Sequence, residues 1–226
     1  MTAKSKSIDA IFDEYAIPKR LRMHMYRVAG IGDIIIDHWK GPDVHRDKLM
    51  RVLLLHDIGN IVKIDTESNS NNFDGIDVET FKDIKQRYIN RYGEDDHRIS
   101  RAIAEEIGLP EDELDLMDAK VFVKNDETVK SDDYDRKIGA YADQRVAPQG
   151  IRSIMGRLKE AKERYKDQPG TSMNNPRTDM LIECAERLKQ QVMRYCTLQP
   201  KDINDDSVQP YINKLIDYEI NINGKG

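Results

Sequence analysis

Val52-Leu53-Leu54-Leu55-His56-Asp57-Ile58-Gly59-Asn60 joins an unbroken apolar run to an adjacent imidazole and carboxylate, and then to a glycine. The apolar run belongs to a core helix. Burying an imidazole and a carboxylate together at its end costs on the order of several kcal/mol unless something pairs with them. A divalent cation satisfies both groups at once. Neighbouring side chains on a helix diverge by about 100°, so His56 and Asp57 can flank one ion only near a helix end.

Working outward, the chain must supply the remaining ligands. It contains five histidines: His24, His38, His45, His56 and His97. His24 lies in Leu21-Arg22-Met23-His24-Met25-Tyr26-Arg27-Val28-Ala29, within a helix expected from about Lys19 to Trp39 whose Leu21, Val28, Ile31 and Ile35 form one apolar stripe. Asp143 lies in Ile138-Gly139-Ala140-Tyr141-Ala142-Asp143, a small and apolar setting that leaves a carboxylate in need of a partner. An ion pair to Arg145 or Lys137 is the plainer reading of Asp143, as a dipole contact and a cap are for His56 and Asp57. Together, however, the residues bring two imidazoles and two carboxylates from three helices. That mixed N/O set suits Mn, Fe, Co, Ni, Zn or Mg. Four protein ligands on such an ion leave room for water and substrate, as a catalytic site requires.

The other expected helices are Ile8 to Tyr15, Asp47 to Asp57, Val78 to Tyr92, His97 to Ile107, Glu111 to Val123, Ile138 to Val146, Ser153 to Tyr165, Thr178 to Cys196 and Val208 to Ile220. Asp65 to Gly75 is polar and rich in Ser and Asn, a loop placed to gate a site at the preceding His-Asp pair. Asp167 to Ser172 reads as a linker, and Asp126 to Asp135 as an exposed acidic run. His38 and His45 flank a turn and are expected to face solvent. No alternating strand pattern and no repeat is evident. The expected class is all-α.

The chain has 226 residues, 38% hydrophobic and 34% charged, with a net charge of -5. Both signs are interspersed, which speaks against a surface built to coat nucleic acid. Its apolar runs are too short to span a bilayer, and its first residues lack the apolar core of a signal peptide. Cys184 and Cys196, twelve residues apart on one expected helix, would lie about 18 Å from each other. That is beyond disulfide reach, and a cytoplasmic location is expected.

The spaced set His24, His56-Asp57, Asp143 resembles the H…HD…D signature of the HD superfamily of metal-dependent phosphohydrolases. His24-Met25-Tyr26-Arg27-Val28-Ala29 is similar to the family's HxxRVA opening, Leu54-Leu55-His56-Asp57-Ile58-Gly59 to its LLHDIG core, and Tyr141-Ala142-Asp143 to its closing YAD. The resemblance implies a multi-helix HD-domain bundle over residues 8–166, followed by a helical extension over 167–226. It also implies hydrolysis of a phosphate ester or anhydride, in a nucleotide or related small molecule, by metal-activated water. On that reading His24, His56, Asp57 and Asp143 hold the ion, and Asp57 also orients the attacking water. His97 is a candidate to protonate the leaving group, and Arg27 and Lys63 are candidates to bind phosphate. Two departures stand out. Asn60 replaces the lysine of the commoner HDIGK, and only His97, not a second histidine pair, lies between the HD pair and Asp143, which favours one ion, or a second held weakly with His97 and carboxylates. A rival reading is a non-catalytic metal- or nucleotide-binding module whose C-terminal helices bind a partner or form a homodimer; residues 1–165 would then fold alone.

Overall fold

The computed structural model describes residues 4–66, 76–165 and 176–222. Most of the expected gating loop (67–75) and the whole of the expected linker lie outside them. Among the described residues, eleven α-helices make up the fold, with two two-stranded sheets. Strand β1 (Lys4–Ser7) leads into α1 (Ile8–Glu14), capped by the Ser7 hydroxyl. The 19-residue α2 (Lys19–Asp37) is the central element. Against it lie α3 (Arg46–Leu55), α8 (Tyr134–Asp143) and α11 (Asp205–Leu215).

Small residues let these helices approach. A Cβ on Gly30 would stand 2.7 Å from Val208 Cγ1, and one on Gly32 2.7 Å from Leu53 Cδ1. The stripe Val28, Ile31 and Ile35 is fully buried, as its spacing requires.

Helix α3 stops at Leu55, one residue before the His-Asp pair. Asp57 turns the chain (φ -116°), and a 3-10 turn follows at Ile58–Lys63. That turn packs on α5 (Asp96–Ile107), which follows α4 (Val78–Tyr92). The contact runs through Gly59. Its N–H donates to the Ser100 hydroxyl at 3.0 Å, and a Cβ there would lie 2.4 Å from the Asp96 carbonyl oxygen and 2.7 Å from the Ser100 nitrogen. Backbone cannot yield as a side chain can, so Gly59→Ala is expected to cost about 1–3 kcal/mol or more. A calorimetric Tm within a degree of the wild type would contradict this close approach.

Beyond α6 (Glu111–Ala119) the chain departs from expectation. The expected helix to Val123 ends at Ala119, and α7 (Asn125–Lys130) occupies the start of the supposedly exposed acidic run. Asn125, Thr128 and Val129 are buried, facing α10 (Thr178–Met193) and α8. Asn125 and Gln144 exchange two side-chain hydrogen bonds of 2.9 Å, and the Asn125 amide also reaches the Leu181 carbonyl. Asp135, within the same run, is buried and accepts from the His45 backbone N–H and ring Nδ1, each at 2.8 Å. His45 does face solvent, but His38 is half-buried and donates Nδ1–H to the Ile34 carbonyl.

After α8, strands β2 (Val146–Ala147) and β3 (Gly150–Ile151) form a minimal hairpin leading to α9 (Ile154–Arg164). Strand β4 (Glu219–Ile222) pairs antiparallel with β1, Lys4 opposite Ile222 and Ser7 opposite Glu219. Both sheets are too short to show an alternating pattern. The C-terminal helices share the core: Leu188, Val192, Val208, Ile212 and Leu215 belong to the same apolar cluster as Ile31 and Leu54. Both cysteines are free and buried, and α10 ends before Cys196. No helix among the described residues is long and apolar enough to cross a membrane.

Candidate metal centre

Three elements converge beside α2. His24 projects from the second turn of α2, His56 and Asp57 from just past the end of α3, and Asp143 from the last position of α8. One ligand atom from each lies within 4.8 Å of all the others. His24 Nε2 is 3.3 Å from His56 Nε2, 3.2 Å from Asp57 Oδ2 and 3.4 Å from Asp143 Oδ1. His56 Nε2 is 3.5 Å from Asp57 Oδ1 and 3.4 Å from Asp143 Oδ1.

The hydrogen bond behind His56 decides its chemistry. Nδ1 lies 2.7 Å from the Leu53 carbonyl, which can only accept, so Nδ1 carries the proton. In the neutral imidazole the Nε2 lone pair then faces two carboxylate oxygens. Acceptors aimed at acceptors repel, and a cation between them turns the repulsion into ligation. A backbone carbonyl behind the ring is also the usual way of orienting a ligating histidine. The residues therefore fit a divalent ion.

With no ion between them these groups satisfy one another through protonated imidazole, which marks the point as one that favours positive charge. Burial disfavours a charged His24, but hydrogen bonds to Asp143 and Asp57, and the charges of both, outweigh it and push the imidazole up to about 9. Burial alone would raise the Asp57 carboxyl; His56, Lys120 and a hydrogen bond from His24 instead hold it well below the usual carboxylate range. Asp143 is likewise held low against its burial, chiefly by Lys120 and the two imidazoles.

Lys120 is the residue the sequence did not reveal. Its side chain is 3% exposed, and its ammonium stands 3.8 Å from Asp57 Oδ1 and 3.5 Å from Asp143 Oδ2. The signal was present in principle: Lys120 sits between Ala119 and the apolar Val121-Phe122-Val123. The plainer reading of Asp143 does not hold, because its suggested partners are engaged elsewhere. Arg145 donates to the Tyr141 hydroxyl and to the Arg152, Pro200 and Ile203 carbonyls, and Lys137 lies over the Tyr134 ring.

A cleft of about 320 Å³ opens onto this cluster, bordered by His24, Asp57, Asn60 and Arg27 among others. The Arg27 guanidinium lies 3.3 Å from Asp205. Lys63 and His97 do not border it. Lys63 pairs with Asp96 at 2.7 Å, and the half-exposed His97 lies on the first turn of α5, 3.8 Å from the same carboxylate. A larger hollow of about 900 Å³, walled by Tyr15, Tyr88, Tyr92 and Glu106, is lined by none of the four clustered residues.

An all-helical bundle carrying a His/Asp cluster that could hold a divalent cation defines a class, that of helical domains with a candidate metal centre. A sequence model of the HD domain matches residues 21–137. The match spans more than half of the chain, and the chain belongs to the HD-domain family. Comparisons with curated proteins and with solved structures give no match. The family's superfamily is one of metal-dependent phosphohydrolases, consistent with the cluster. Asp143 lies beyond the matched segment, and its place in the cluster rests on the geometry above.

Proposed function

We propose that this protein is a metal-dependent hydrolase of phosphorylated small molecules, nucleotides being the natural class. The carrying observation is the convergence of His24, His56, Asp57 and Asp143 on one point, with His24 and Asp57 also bordering an open cleft. A divalent ion held there supplies an acidified water and neutralises phosphoryl charge. The side chains do the rest. His56, braced by the Leu53 carbonyl, and His24 present imidazole nitrogens. Asp57, with two oxygens, borders the cleft as well as the cluster, so one oxygen can ligate while the other orients an attacking water. Arg27, one turn after His24, reaches into the same cleft and can neutralise a phosphate.

Lys120 supports a single-ion reading. An ammonium between two carboxylates supplies the positive charge that a second cation would bring, and it holds both carboxylates in place. Removing one partner of a buried ion pair costs about 3–5 kcal/mol. Lys120→Met is therefore expected to lower Tm most in chelated protein, and less when the ion is saturating and compensates the carboxylates. Equal losses with and without metal would argue against Lys120 acting on the cluster.

The testing experiment is elemental analysis of the purified protein, alongside a phosphatase and phosphodiesterase screen with added Mn, Co, Ni or Mg. About one equivalent of metal with phosphate release, both lost in His56→Ala, is expected. Metal without turnover on any substrate would favour a sensing or scaffold module, and no metal under any condition would remove the chemistry altogether.

A further inference from the structure

We propose that the substrate carries at least two phosphate groups: a scissile one at the His/Asp cluster, and a distal one gripped by Arg157 and Arg164 of α9. The inference rests on the phosphohydrolase reading and extends it to substrate class.

The cleft over the cluster is bordered by four arginines, Arg20, Arg27, Arg157 and Arg164, and by no lysine. Their spacing is regular. On α2 the sequence Arg20, His24, Arg27 follows i, i+4, i+7, which puts one ligand and two guanidiniums on a single stripe. On α9, Arg157 and Arg164 are again seven apart. Seven helical residues rise about 10.5 Å. Both pairs border one cleft whose chemistry is anchored at the cluster; the α2 stripe carries His24 and so serves the phosphate at the cluster, which leaves the α9 pair for a second one. A second phosphate further along the molecule would meet the α9 row. In a chain of net charge -5 this concentration of one cation type is local. Arginine, with its planar fork of donors, is the side chain suited to paired contacts with phosphate oxygens.

The present partners of these arginines are weak enough to exchange. Arg164 meets Glu160 at 3.1 Å and Arg27 meets Asp205 at 3.3 Å, both partly open to solvent, where water competes with such pairs. Arg157 donates Nε–H to the Val146 carbonyl over a long 3.4 Å, leaving its other donors for a ligand. Arg20 has a partner in the structure, and Asp65 also borders the cleft, so α9 and Arg27 carry the inference. Tyr165 borders the cleft as well, with the Arg164 guanidinium 4.8 Å from its ring centre, a contact that restricts where that guanidinium can go.

The test compares inorganic tripolyphosphate with p-nitrophenyl phosphate on full-length, metal-loaded protein, in wild type and in the Arg157→Ala/Arg164→Ala double variant. The variant is expected to lose selectivity for tripolyphosphate, measured as the ratio of kcat/KM values, by about tenfold or more, as follows from losing a charge-assisted hydrogen bond. The loss should lie mainly in KM and be reproduced in part by raising salt. An unchanged ratio would overturn the proposal while leaving the phosphohydrolase reading intact. If no phosphate is released from any compound, that reading fails and calorimetric binding of tripolyphosphate in chelator decides this one. Binding weakened about tenfold in the double variant would sustain the α9 phosphate subsite alone, and equal binding would overturn it.

Discussion

Asp57→Ala is expected to abolish phosphate release, by at least about a hundredfold, since loss of even an outer partner of a metal ligand costs about 10–100-fold. Helical circular dichroism should remain near that of the wild type. The side chain sits beyond the end of α3, in a turn set by backbone geometry and by the packing of Gly59 on α5, so neither depends on the carboxylate. Its loss also removes one of two carboxylates facing Lys120. The metal content measured on the same sample separates two explanations of lost activity. Protein without metal places Asp57 in the ligand set; protein that keeps its metal and loses turnover places it on the attacking water. Retained turnover would remove Asp57 from the reaction and sink the proposed mechanism.

The second large effect is expected from deleting everything after Tyr165. The residues removed include Leu188, Val192, Val208, Ile212 and Leu215, all buried in the common core. Also removed are the Leu181 carbonyl that accepts from Asn125 and the Pro200 and Ile203 carbonyls that accept from Arg145. Losing one large buried aliphatic side chain costs about 2–5 kcal/mol, and a domain of this kind has only about 5–15 kcal/mol in total. The 1–165 fragment is therefore expected to show no cooperative melting transition and to bind a hydrophobic dye. A fragment that melts cooperatively and retains its metal would make the C-terminal helices a separate arm after all.

How much of this was legible in the chain depends on the range of the interactions. The four clustered residues could be read because each is an anomaly within its own few residues: a His-Asp pair ending an apolar run, an Asp among alanines. Helices with a continuous apolar stripe, such as α2 and α4, could be read for the same local reason, and α4 has the bounds its periodicity implies. Lys120 was not legible because lysine is ordinarily a surface residue, and only the approach of α3 and α8 makes it a buried counter-ion. Helix α7 hid behind Asn125-Asp126-Glu127-Thr128, polar by composition yet buried on one side by α10 and the Gln144 amide. The cleft arginines, seven apart on two helices that are distant in sequence, become a group only when the fold lines one cleft with both.

The pairing of α2 with α11 bears on how the molecule is made. Ile31 and Gly30 leave the ribosome roughly 180 residues ahead of Val208 and Ile212, which at about 5–20 residues per second is on the order of ten seconds or more. Through that interval the side of α2 that meets α11 has no lasting partner, and β1 must wait longer still for β4. Synthesis of this protein should accordingly be sensitive to chaperone supply, with aggregation set by events before release rather than by the stability of the finished bundle.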